Sequence, residues 1–244
     1  MDTQASAKSK IRGHHADSTP VESVHGLEDL PGIRAVFICR SSGVDVSGER
    51  EDVLKRLADR HRRAADASGF AGIPFVGAQQ VHGADVACVR EVFREPVPGV
   101  DGLITNHPGL ALAIYVADCA AVFLAEKHGK AIGLLHSGRK GTELGIATAA
   151  VKQMGEIFDV APGNLIASIS PCIRPPHYEV DFAAEIRRQL AQAGVGEIHD
   201  TEICTASDPA RYYSYRREMG HTGRMLALIC LTGYGQDQAP GSRE

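Results

Sequence analysis

Two periods of apolar residues run along this chain. Residues 49–66 place Val53, Leu57, His61 and Ala65 on one stripe at helical spacing, with Glu49, Glu51 and Asp52 where a helix N-terminus favours acids. Residues 141–158 carry Leu144, Val151, Met154 and Phe158 at the same spacing, which predicts a second helix. A third is predicted from Asp181, as N-cap, to about Ala193. Between the helices the apolar positions change period. RAVFIC (34–39) and LIASIS (165–170) are short buried runs, DVACVREV (85–92) alternates, and LALICL (226–231) closes the chain's apolar set. LALAIYV (110–116), AVFLAE (121–126) and KAIGLLH (130–136) are three more runs of strand length. Lys127-His128-Gly129 reads as a hairpin turn between the last two. Short strands in hairpins mixed with amphipathic helices predict mixed sheets covered by helices.

Neither end carries such a pattern. Residues 1–25, including His14 and His15, are polar and read as a solvated, disordered tail, and 235–244 as a second tail. Residues 26–234 contain no Pro/Gly/Ser linker and no repeat, so one domain is expected. A net charge of −4 argues against a nucleic-acid partner, because phosphate backbones require a basic face. No apolar run approaches the roughly 18 residues of a membrane span, and the N-terminus has no apolar signal core. The six cysteines are dispersed without a CxxC pair, which suits free thiols in a reducing cytoplasm.

Three segments carry chemistry at strand ends: Gln79-Gln80-Val81-His82-Gly83, Ala117-Asp118-Cys119, and Leu135-His136-Ser137-Gly138. His82, Cys119 and His136 together would form a three-ligand site with a fourth position open, the arrangement of catalytic zinc. Their wide separation in sequence matches no compact metal motif. Taken singly, each residue reads as a packed structural side chain ahead of a ligand. No P-loop, dinucleotide fingerprint or GxSxG elbow occurs.

The ordered segments QVHGADV, DGLITNHPGLALAIYVADCAAVFLAE, AIGLLHSGRKG, SPCIRPPHYEVD and YYSYRREMGHTGRMLALI resemble the YfiH family, also called the laccase-domain or polyphenol oxidase family. The similarity spans about residues 26–232. It implies a single α+β domain with mixed β-sheets in an α/β/β/α layering. It also implies a zinc held by His82, Cys119 and His136. Characterised family members act on purine nucleosides, as phosphorylases on adenosine, inosine and methylthioadenosine and as adenosine deaminases. That resemblance implies a purine nucleoside and phosphate as the partners of this chain.

One motif departs from the family. Where the family reads HAGWRG, this chain has His136-Ser137-Gly138-Arg139-Lys140-Gly141, and it contains no Trp. Arg139 can stack through its guanidinium plane, while Lys140 keeps charge without a bidentate fork. Phosphorolysis requires an anion pocket, for which Arg40, Lys140, Arg216 and Arg217 are the candidates. Asp118 is a candidate general base, its alternative being a carboxylate that accepts loop N–H bonds. Cys119 is a candidate catalytic residue as well as a metal ligand. Gln80 either orients His82 and the base or clamps backbone. Copper also suits two His and one Cys, giving a polyphenol oxidase as the alternative, although the chain has no HxH pair for a multicopper cluster. The remaining alternatives are a non-catalytic metal-binding protein and a cysteine hydrolase using Cys119.

Overall fold

The structure, a computed structural model, describes residues 19–232. Both the His14-His15 pair and the expected tail at 235–244 lie outside the described residues. Eleven strands and four α-helices follow in the order β1 Val21–Ser23, β2 Ile33–Ile38, α1 Arg50–Ala65, β3 Phe75–Gly77, β4 Val86–Cys88, β5 Gly102–Thr105, β6 Ala111–Val116, β7 Ala120–Glu126, β8 Ile132–Ser137, α2 Arg139–Glu143, α3 Ile146–Phe158, β9 Leu165–Ile169, α4 Phe182–Gln192, β10 Glu197–Asp200 and β11 Met225–Leu231. They form a five-stranded sheet, β1-β2-β11-β6-β3, and a six-stranded sheet, β10-β9-β7-β8-β5-β4. Both sheets are mixed: β3 runs parallel to β6, β4 to β5 and β10 to β9, and the other pairs are antiparallel.

Strand alternation builds the layers. Met225, Ala227, Ile229 and Leu231 of β11 face the interior, where they meet Phe123 and Leu134 of the other sheet. Leu226, Leu228 and Cys230 face the opposite way and pack with Ala65 and Phe70 below α1. On the far side of the six-stranded sheet, Val122, Leu124 and Ile169 meet Met154 of α3 and Ile186 of α4. The domain is therefore α+β, with helix, sheet, sheet and helix stacked. Among the described residues, no helix is long and apolar enough to cross a membrane.

α1 buries Val53, Leu57, His61 and Ala65, the stripe its sequence pattern predicts. α4 starts at Asp181, whose carboxylate accepts from the Ala184 N–H at 3.0 Å. The 127–129 turn joins β7 to β8, with Ala125 opposite Ile132.

Three expectations are corrected. Residues 21–23 are an edge strand paired with β2 rather than tail, because Val21, Glu22 and Ser23 align opposite Ile38, Phe37 and Val36. The helix expected over 141–158 divides at Gly145, whose φ of +81° turns the chain, so Leu144 is 57% exposed instead of buried. The strand expected over 85–92 pairs only at 86–88, along the sheet edge.

Candidate metal centre and its cavity

Strand register assembles the centre. In the β7–β8 hairpin Ala120 lies opposite Ser137, which brings Cys119 beside Gly138. In the β5–β8 pair Gly102 lies opposite Leu135, which brings Asp101 beside His136. The His136 N–H donates to the Asp101 carbonyl at 2.7 Å. His82 arrives from the loop before β4. The donor atoms of His82, Cys119 and His136 all lie within 4.8 Å of one another. The two imidazoles meet edge to face, with ring centroids 4.8 Å apart. A Cβ on Gly138 would stand 2.5 Å from the Cys119 sulfur, so this position accepts only glycine without moving a donor.

Asp101, fully buried, fixes this arrangement. Its Oδ1 accepts from His136 Nδ1 at 2.7 Å and from the His82 N–H at 2.9 Å. Its Oδ2 accepts from the Val81 and Gly83 N–H groups at 3.1 and 2.7 Å. With Nδ1 committed to the carboxylate, His136 presents Nε2 to the centre, the usual carboxylate–histidine arrangement of a metal ligand. Burial works against the Asp101 anion, but the hydrogen bonds from His136 and Gly83 outweigh it and lower the carboxyl pKa. Burial also opposes the Cys119 thiolate. Hydrogen bonds with His136 and His82 prevail and bring that thiol down to about 6. A readily formed thiolate, an oriented imidazole and a second imidazole are a donor set that fits zinc or copper.

The centre opens into a cavity of about 900 Å³, within the size range of small-molecule sites. Lys140 and Arg216 line it, as expected, together with Arg139. Arg139 Nε pairs with Glu143 at 2.9 Å, and Arg216 Nη2 with Glu179 at 3.1 Å. Asp118 lines the cavity too, but its Oδ1 accepts from the Thr205 hydroxyl and its Oδ2 from the Arg216 N–H, each at 2.7 Å. This is the loop-binding alternative of its sequence reading. Gln80 also reaches the wall, where its amide donates to the Tyr115 carbonyl at 2.6 Å and accepts from the Tyr115 N–H at 3.1 Å, a backbone clamp. Gln80, His82 and Asp118 all have positive φ, of 64°, 60° and 82°. Such conformations cost energy and gather at functional sites.

Two predicted residues lie elsewhere. Arg40 does not line the cavity: Nη1 binds Glu218 Oε1 at 2.8 Å and the guanidinium lies 4.5 Å from the Tyr213 ring centre. Arg217 Nη1 is taken by the Ala206 carbonyl at 2.8 Å. Arg40 braces the 205–224 segment against β2, and Arg217 closes that segment on itself. Sequence reasoning passed over Asp101, Arg50 and Arg224. For Asp101 the available signal is an acid immediately before Gly102 and the short apolar run Leu103-Ile104.

A family model described as multi-copper polyphenol oxidoreductase laccase matches residues 36–185 and 180–232. The chain belongs to the laccase-domain (YfiH) family. It is 32% identical, across 84% of its length and 86% of the relative, to the purine nucleoside phosphorylase YlmD of Geobacillus stearothermophilus. It is 33% identical to a purine nucleoside phosphorylase of Deinococcus radiodurans, across 83% of this chain and 93% of that one. The crystal structure of Geobacillus YlmD superimposes with a TM-score of 0.75 at 28% identity, covering 89% of this chain and 100% of YlmD. The laccase-domain chain has one group of three or more metal-capable side chains among its described residues, the His82–Cys119–His136 centre.

Proposed function

We propose that this protein is a zinc-dependent purine nucleoside phosphorylase acting on adenosine, inosine and methylthioadenosine, with adenosine deaminase activity at the same centre. The observation that carries this reading is the three-donor centre opening into a cavity lined by both cations and aromatic rings. Relatives bearing the phosphorylase name, at 32% and 33% identity, support it.

His82, Cys119 and His136 would hold the zinc, and Asp101 would keep His136 oriented toward it. Zinc with three protein ligands supplies Lewis-acid charge at an open coordination position. The chain's own groups do the rest. Tyr178, Phe182 and Ile173 give one end of the cavity the flat apolar surface a purine needs, in place of the family's Trp. Arg139 and Lys140 lie at the same end and reach the nucleoside's polar edge. Asp118 holds the 205 and 216 segments together, so it positions the wall and leaves proton transfer to other groups. In phosphorolysis a phosphate oxygen bonds to C1′ while the C1′–N9 bond breaks, and the base departs with the electron pair and takes up a proton.

The reading is tested by metal analysis and by chromatography of adenosine incubated with metal-replete protein, with and without phosphate. Stoichiometric zinc, adenine released only with phosphate and inosine formed in both samples are expected. Unchanged adenosine, inosine and methylthioadenosine in every sample would overturn it. Stoichiometric copper with phenol oxidation would favour the oxidase alternative.

A further inference from the structure

Five cationic side chains line the cavity: Arg50, Arg139, Lys140, Arg216 and Arg224. They differ in company. At the α2 end, Arg139 is paired with Glu143, and Arg216 with Glu179. At the α1 end, Arg50 and Arg224 have no carboxylate partner among the described residues. Arg50 Nη2 touches only the Gln80 amide oxygen, at 3.3 Å. Arg224 Nη1 donates to the carbonyls of Thr222 and Gly223 at 3.1 and 2.8 Å, and its guanidinium lies 5.9 Å from the Tyr215 ring centre. Those carbonyl contacts fix the guanidinium while leaving its other edge available.

Topology sets both groups beside the metal centre. β11 pairs with β6 so that Met225 lies opposite Val116. Arg224, the preceding residue, therefore falls across from Ala117, two residues from Cys119. Gln80, which holds Tyr115 at the end of β6, is the residue Arg50 touches. Burial lowers the Arg224 pKa first, and the positive charge of Arg50 lowers it further, so the two guanidiniums repel across this space. Tyr215, Cys119 and Asp118 offset part of this at longer range. Two guanidiniums without a paired carboxylate, facing one cavity, are relieved by an oxyanion that accepts from both.

We propose that Arg50 and Arg224 form the subsite for inorganic phosphate, at the α1 end of the cavity. The assignment rests on the phosphorylase reading for its role in turnover. It differs from the sequence expectation, which gave the anion to Arg40, Lys140, Arg216 and Arg217. A phosphate held there lies beside Gln80 and Tyr215, the residues these two arginines touch, and the base is assigned to the Tyr178–Phe182 pair. The ribose then spans the donors, with its anomeric carbon between nucleophile and leaving base, as displacement at C1′ requires. The phosphate oxygen that bonds to C1′ stays in the ribosyl phosphate product, so the same two arginines hold that product's phosphoryl group until release.

The experiment is calorimetric titration of inorganic phosphate into the full chain and into R50Q, R224Q, R224K and R217Q, alongside steady-state phosphorolysis. Arg50 is exposed at the start of α1, so R50Q tests the subsite without disturbing buried structure. Phosphate affinity is expected to fall about tenfold or more in R50Q and R224Q, the worth of one charge-assisted hydrogen bond or more. R224K should retain part of it and R217Q all of it. In turnover the phosphate KM should rise by the same factor while the nucleoside KM holds. Absence of phosphate binding by the unaltered chain, unchanged affinity in R50Q and R224Q, or a rise in nucleoside KM alone would each overturn the assignment. Phosphate bound through these arginines without base release would sink the phosphorylase reading and leave the subsite standing. Phosphate-dependent base release with an unchanged phosphate KM in both variants would do the reverse.

Discussion

His61 on α1 and His136 at the end of β8 are buried alike, at 2% and 4% exposure, and their protons behave in opposite ways. His61 lies on the buried face of α1 with the Tyr115 ring 5.8 Å away, and neither ring nitrogen makes a hydrogen bond among the described residues. Burial drives its pKa down to about 4, with the nearby Arg224 backbone opposing in part. Burial also pushes His136 down, but hydrogen bonds with Asp101 and Cys119 reverse the outcome and raise it to about 9. The pair teaches that burial by itself makes histidine a neutral, inert core residue. A carboxylate behind the ring makes it a directed ligand.

Removing the directed member should have the largest effect. H136A is expected to lose bound metal and to lower nucleoside turnover by more than about a hundredfold, since two donors remain. Metal content and kinetics on one preparation check this, and full activity without metal would break the link. D101N keeps the ligand but weakens its support, so metal affinity should fall by about 10–100-fold, read by competition with a chromophoric chelator. Unchanged affinity would mean that Asp101 serves the fold alone.

H61L sharpens the other side of the comparison. The folded pKa of about 4 lies below the ordinary value of 6.5. Above pH 6.5 the ring is neutral in both states and costs no protonation energy. As pH falls from 6.5 through 4, the unfolded chain takes up a proton that the fold refuses, so stability drops, approaching about 3 kcal/mol. Urea titrations across this range should show that loss in the native chain and a shallower slope in H61L. Parallel slopes would show that His61 does not titrate in this way.

Long, regular patterns were legible before any coordinates. α1, α4, β6, β7 and the 127–129 hairpin carry enough apolar positions to define a period. β1, β3 and β10 span only three or four residues and gain their stability from a neighbouring strand, so no local pattern announces them. The break at Gly145 was hidden because Leu144 sits at helical spacing from Val151 while the backbone between them turns. At the site, His82, Cys119 and His136 were found through the ordered motifs, whereas spacing alone could not join them. Asp101 was missed because its role depends on the β5–β8 register, which is a long-range fact. The placement of Arg40 is hidden for a related reason: its guanidinium pairs with Glu218, 178 residues away.

Asp101 has a further consequence. One buried carboxylate grips the backbone of the His82 loop with one set of lone pairs and the His136 ring with another. Two of the three donors are thus tied to one anchor that forms as the sheet forms. Their conformational entropy is lost during folding, so an arriving ion meets a preorganised socket and gives up little affinity to ordering it. Exchange of one ion for another then becomes replacement of the occupant within fixed walls, and the apo and loaded proteins should share one backbone.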